Sequence, residues 1–105
     1  ILGKGTTMMT LPPTGPVVGV IPDARYSVKE VSIEKDDILL AFTDGIPDSK
    51  NSKNELFDTG RLITALGDRN VPTSTLIKNL EAQLHEFIGA SDQFDDITLL
   101  AITRL

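Results

Sequence analysis

Two runs of uninterrupted apolar residues limit what this chain can become. The first is "ILLAF", Ile38–Phe42, and the second lies within "FDDITLLAITRL", which ends the sequence. Neither shows the 3.6-residue spacing of an amphipathic helix. Both read as short strands in the middle of a sheet, apolar throughout as strands covered on both faces would be. Each also meets acid at one end. The first runs into Thr43, Asp44 and Gly45, and the second is entered through Asp95 and Asp96.

The remaining segments fit around these two. Residues 6–11, "TTMMTL", have strand composition, which makes Met8 and Met9 packing residues. Residues 12–23 carry Pro12, Pro13, Pro16 and Pro22, which exclude helix and leave room only for a short edge strand near residues 17–20. Residues 26–34, "YSVKEVSIE", alternate but change phase. Tyr26 and Val28 share one parity, and Val31 and Ile33 the other, so a β-bulge near Lys29 and Glu30 is expected. "EKDD" then reads as a hairpin turn, with Asp36 and Asp37 as turn residues. A first helix is expected in "FDTGRLITALGD", capped by Asp58 or Thr59, carrying Leu62, Ile63 and Leu66, and ended by Gly67. A second follows Pro72 and Thr73, where Leu76, Ile77, Leu80, Leu84, Phe87 and Ile88 recur at helical spacing up to Gly89. Strands, two helices and a strand give an α/β architecture, a mainly antiparallel sheet layered with two helices.

Composition narrows the function. The 105 residues make one domain at most, or part of one. Ten basic against fifteen acidic residues give a net charge of −5, and no basic stripe offers itself to nucleic acid. The absence of cysteine excludes disulfides and thiolate metal sites, and fits a cytoplasmic location. The single histidine, His85, makes an imidazole-based zinc site improbable and reads as a surface or boundary residue of the second helix. No apolar run approaches the roughly 20 residues that span a bilayer. The chain begins with Ile1, as a piece of a longer polypeptide would.

If the two apolar strands are antiparallel neighbours, the end of one lies beside the start of the other. Asp44 and Asp95–Asp96 then meet at one edge of the sheet. Carboxylates brought together repel, and a hard divalent cation such as Mg²⁺, Mn²⁺ or Ca²⁺ relieves the conflict. Gly45 permits a tight turn beside Asp44. Acids at turns are also commonplace solvated caps, and spacing alone leaves both readings open. The segment "PDSKNSKNE" is not an EF-hand, because Lys50 stands at the third position and the sixth lacks glycine; it reads as a solvated loop. Lys50, Lys53 and Arg61 are available to steer a phosphoprotein, although scattered bases more often serve solubility.

"DDILLAFTDGIPDSKNSKNELFDTGRL" followed by "FDDITLLAI", with "TGPVVGVIPDARY" ahead of them, resembles the C-terminal half of the metal-dependent PP2C-type (PPM) phosphatases. The nearest branch is the bacterial one typified by the stage II sporulation E and sigma-factor regulator phosphatases. The resemblance implies part of an α-β-β-α sandwich and a protein serine/threonine phosphatase of bacterial signalling. It implies two Mn²⁺ or Mg²⁺ ions in the complete domain, with Asp44 and Asp95 as metal ligands and Asp96 and Gly45 supporting them. It implies a phosphorylated substrate of the anti-sigma-factor-antagonist type. Asp36 and Asp58 stand where the family often has glycine, as turn variations outside the metal site. The family's N-terminal "GD..D" and acid-glycine-histidine-glycine segments have no counterpart here. On this resemblance residues 1–105 are the C-terminal portion of the domain, with about half of the ligands, weak or absent metal binding, no activity alone, and an apolar face covered by self-association. A non-catalytic, phosphatase-like module for protein binding is the alternative.

Overall fold

A computed structural model describes residues 1–4, 7–67, 69–93 and 95–105. Six elements follow one another: β1 (Leu2–Lys4), β2 (Thr7–Met9), β3 (Ile38–Phe42), α1 (Asp58–Leu66), α2 (Thr73–Ile88) and β4 (Leu99–Thr103). The strands form a single sheet in the order β2-β1-β3-β4, antiparallel at every pairing. Both apolar runs are strands as expected; β3 is interior, whereas β4, expected in the middle of the sheet, is an edge strand. The expected first strand shortens to β2; Thr6, at its start, lies outside the described residues, as do Asp68 and Phe94.

The register of β3 against β4 sorts the side chains onto two faces. Leu40 pairs with Ala101 and Phe42 with Leu99, while Leu39 pairs with Ile102 and Ala41 with Leu100. Ile38 and Leu40 are buried, and Phe42, Leu99 and Ala101 pack against the same core. On the opposite face Ala41 is exposed, and Leu100 and Ile102 are 54% and 48% exposed. The expectation that these strands are covered on both faces is therefore corrected. Two helices suffice for one face of the sheet, and their buried residues all belong to that side.

Helix α2 forms because Leu76, Leu80, Leu84 and Ile88 recur every fourth residue, and all four are buried. Pro72 starts it by accepting the N–H groups of Thr75 and Leu76 at 2.9 and 3.0 Å. Gly89 ends it with φ +57° and donates to the His85 carbonyl at 2.9 Å. Helix α1 buries Leu62, Ala65 and Leu66 against it. The Asp58 Oδ1 accepts the Arg61 N–H at 2.8 Å, the bond of a capping aspartate. Edge-to-face packing of Phe57 on Phe87, with centroids 5.2 Å apart, joins the two helices.

Two expected strands are absent. Residues 18–20 form a turn and Val17 is irregular, with Val17, Val18 and Val20 exposed. Residues 26–34 form neither strand nor bulge. β1 pairs with one edge of β3 and β4 with the other, so the segment just ahead of β3 cannot pair with β3, and it does not add to the outer edge of β4 or β2 either. Strand β1, three residues long, is too short to show a period in the sequence. "EKDD" does turn, with the Asp37 N–H donating to the Glu34 carbonyl at 3.1 Å, but no strand precedes it to make a hairpin.

Candidate functional site

The pairing of Phe42 with Leu99 closes the β3–β4 ladder at one end of the sheet. Beyond it the two chains stay attached. The Thr43 N–H donates to the Thr98 carbonyl at 3.1 Å. The Thr43 hydroxyl donates to the Asp96 carbonyl at 3.2 Å and accepts the Thr98 N–H at 3.0 Å. Gly45 completes the junction. It is buried, and a Cβ placed there would collide with the Asp96 carbonyl oxygen and lie 3.0 Å from its carbon. Only glycine allows the backbones this close approach.

The turn that carries Asp44 is itself tied down. The Asp48 N–H donates to the Asp44 carbonyl at 2.9 Å and the Ile46 N–H to the Thr43 carbonyl at 3.2 Å. Ile46 is 1% exposed and anchors the turn in the core. The buried Ser49 hydroxyl donates to the Gly45 carbonyl at 2.7 Å. On the other segment, the Asp95 Oδ1 accepts the Asp96 N–H at 2.7 Å, and the Gln93 amide donates to the Asp95 carbonyl at 2.8 Å. Asp44, Asp95 and Asp96 are all exposed.

All four residues singled out in the sequence thus belong to two segments stitched together at one end of the sheet. That donor set, carboxylates without nitrogen or sulfur, suits a hard cation. Among the described residues, no group of three or more His, Cys, Asp or Glu side chains is placed to hold a metal ion. His85 is exposed on α2 and, with Glu81 and Gln93, lines a cavity of about 350 Å³ otherwise walled by apolar side chains such as Ile46, Leu80 and Leu84. Two residues escaped the sequence reading, Thr43 and Ser49. Their signal was weak: a hydroxyl beside an Asp-Gly pair has no meaning until its partner segment is known.

The segment after this turn is more ordered than the solvated loop expected. Lys50 and Leu56 form an isolated antiparallel bridge. Inside it the Asn51 Oδ1 accepts the N–H groups of Lys53 and Glu55, both at 3.0 Å. Arg61 lies over the Phe87 ring, 4.9 Å from its centroid, and 4.0 Å from Glu55.

Residues 1–105 match the family model described as Stage II sporulation protein E (SpoIIE). This chain belongs to the SpoIIE family. The SpoIIE-family chain is 31% identical over 91 residues to Protein IcfG of Synechocystis sp., an alignment that covers 87% of this chain and 14% of that protein. It is also similar to the solved SiaA-PP2C domain of Pseudomonas aeruginosa. That match has a TM-score of 0.70 and 26% identity, and covers 79% of this chain and 36% of the other. The SpoIIE-family chain therefore has the fold of a PP2C domain over most of its length, and it spans well under half of either relative. No helix among the described residues is long and apolar enough to cross a membrane.

Proposed function

We propose that this chain is the C-terminal portion of a metal-dependent protein serine/threonine phosphatase domain. In this reading it acts in the cytoplasm on phosphoserine or phosphothreonine of a signalling regulator of the anti-sigma-factor-antagonist type. The observation that carries the proposal is the junction of Thr43 and Gly45 with Asp96 and Thr98, which sets two acid-bearing segments side by side in a SpoIIE-family chain.

Asp44 and Asp95 would hold the metal, with Asp96 and Gly45 in support. Their exposed carboxylates would offer oxygen to Mn²⁺ or Mg²⁺, the hard cations that such ligands suit. When bound, such ions would supply acidification of a water and charge neutralisation at phosphoryl oxygens. No side-chain nucleophile is required, which agrees with a chain that has no cysteine. The residues of this chain supply charge and a fixed frame.

The full-length protein and its Asp44→Asn variant provide the test, through Mn²⁺-dependent hydrolysis of a phosphoserine peptide. Loss of a ligand should exceed the roughly 10–100-fold effect typical of outer-shell partners. Equal rates would remove Asp44 from catalysis. They would favour the second reading, a non-catalytic module that binds a protein partner. That reading draws on the lack of a three-residue ligand group among the described residues.

A further inference from the structure

One side chain bridges the two acid-bearing segments, in addition to the backbone bond between Thr43 and Thr98. A threonine hydroxyl donates one hydrogen bond and accepts others, and that of Thr43 does both across the junction. It donates to the Asp96 carbonyl at 3.2 Å and accepts the Thr98 N–H at 3.0 Å. The two partners flank Ile97, so the hydroxyl grips the segment on both sides of one residue. The Thr43 N–H, bonded to the Thr98 carbonyl at 3.1 Å, holds the same place from the backbone. Thr43 directly precedes Asp44, and Asp96 directly follows Asp95. The hydroxyl therefore lies one residue from Asp44 along one chain and, at its acceptor, one residue from Asp95 along the other. Branching at Cβ limits χ1, so the oxygen is aimed before any ion arrives.

We propose that Thr43 is a positioning residue that fixes the spacing of the Asp44 and Asp95 carboxylates for a divalent ion. The assignment rests on the phosphatase reading above. It adds a residue whose own oxygen need not touch metal or substrate. Both side-chain bonds are exposed, so water can replace them with little loss of overall stability. Water does not replace the fixed distance between the two segments. Losing Thr43 should therefore show in metal affinity far more than in folding.

The test uses the full-length protein, with Mn²⁺ affinity measured by electron paramagnetic resonance of the free ion and folding followed by thermal melts. Thr43→Val keeps the shape and removes the hydroxyl; Thr43→Ser keeps the hydroxyl. Valine should weaken Mn²⁺ binding about tenfold, as outer-shell losses do, with the melting temperature nearly unchanged, and serine should restore binding to within about threefold of wild type. Asp44→Asn is measured alongside. If Asp44→Asn weakens binding and Thr43→Val does not, the positioning role is overturned and the phosphatase reading stands. If Asp44→Asn binds like wild type, both fall. Should Thr43→Val fail to fold, hydrogen exchange of the Thr98 amide in the wild-type protein decides. Protection is expected, and exchange at the rate of a free peptide would overturn the clamp.

Discussion

Asp36 and Asp58 share an unusual backbone. Their φ values are +69° and +54°, in the left-handed region that costs a side-chain-bearing residue about 1–2 kcal/mol. These are the two positions where the resembled phosphatases often carry glycine, and the left-handed backbone gives the physical reason. Aspartate is among the side chains that tolerate the region. The two positions still differ. Asp58 offsets its strain by capping α1 through the Arg61 N–H, whereas at Asp36 the backbone N–H, which any residue supplies, makes the bond to the Arg104 carbonyl at 2.8 Å. Asp36→Gly should therefore stabilise the protein by about 0.5–1 kcal/mol, and Asp58→Gly should be close to neutral because relief of strain is set against loss of the cap. Urea denaturation midpoints of the two variants check this, and equal gains from both would deny the cap its role.

Whole elements were legible in the sequence in proportion to their length and independence. Helix α2 carries its own evidence in the stripe from Leu76 to Ile88, and its bounds fell where Pro72 and Gly89 placed them. Strands β3 and β4 were legible as apolar runs. Residues 26–34 were misread because a strand depends on a partner, and the alternation of Tyr26, Val28, Val31 and Ile33 says nothing about whether an edge is free. Val28 is 87% exposed. Val28→Asp should accordingly change stability by less than about 0.5 kcal/mol, as surface substitutions do. A loss above about 1 kcal/mol in the same denaturation assay would show this segment packed as a strand. The candidate site was legible to the level of two segments meeting. Its fastening was not, because Thr43 acquires partners only through a contact 53 to 55 residues away in the chain.

At the scale of the molecule, the chain is a slab. It measures 44 × 37 × 18 Å, thin in one direction as one sheet and one helix layer require. Its radius of gyration, 15.5 Å, exceeds the roughly 13 Å of a compact domain of this length. The face opposite the helices bears Leu39, Ala41, Leu100 and Ile102, an apolar surface of the kind that drives association. The isolated 105-residue chain should self-associate as concentration rises, with light scattering giving a mass above 11.4 kDa. A clean monomer at high concentration, together with no binding of an apolar dye, would refute this.

The junction of Thr43 with Asp96 and Thr98 also bears on the order of events during folding. It closes a loop that contains both helices, and closing a loop of 53 residues has an entropic cost on the order of 3–4 kcal/mol. No local stretch of the chain can bring its acids together early. The two acid-bearing segments meet only when β4 has been zipped onto β3, so a nascent or partly melted chain presents them apart. On the proposed metal role of Asp44 and Asp95, competence for the ion would then serve as a late checkpoint, reached only by molecules that have completed their topology.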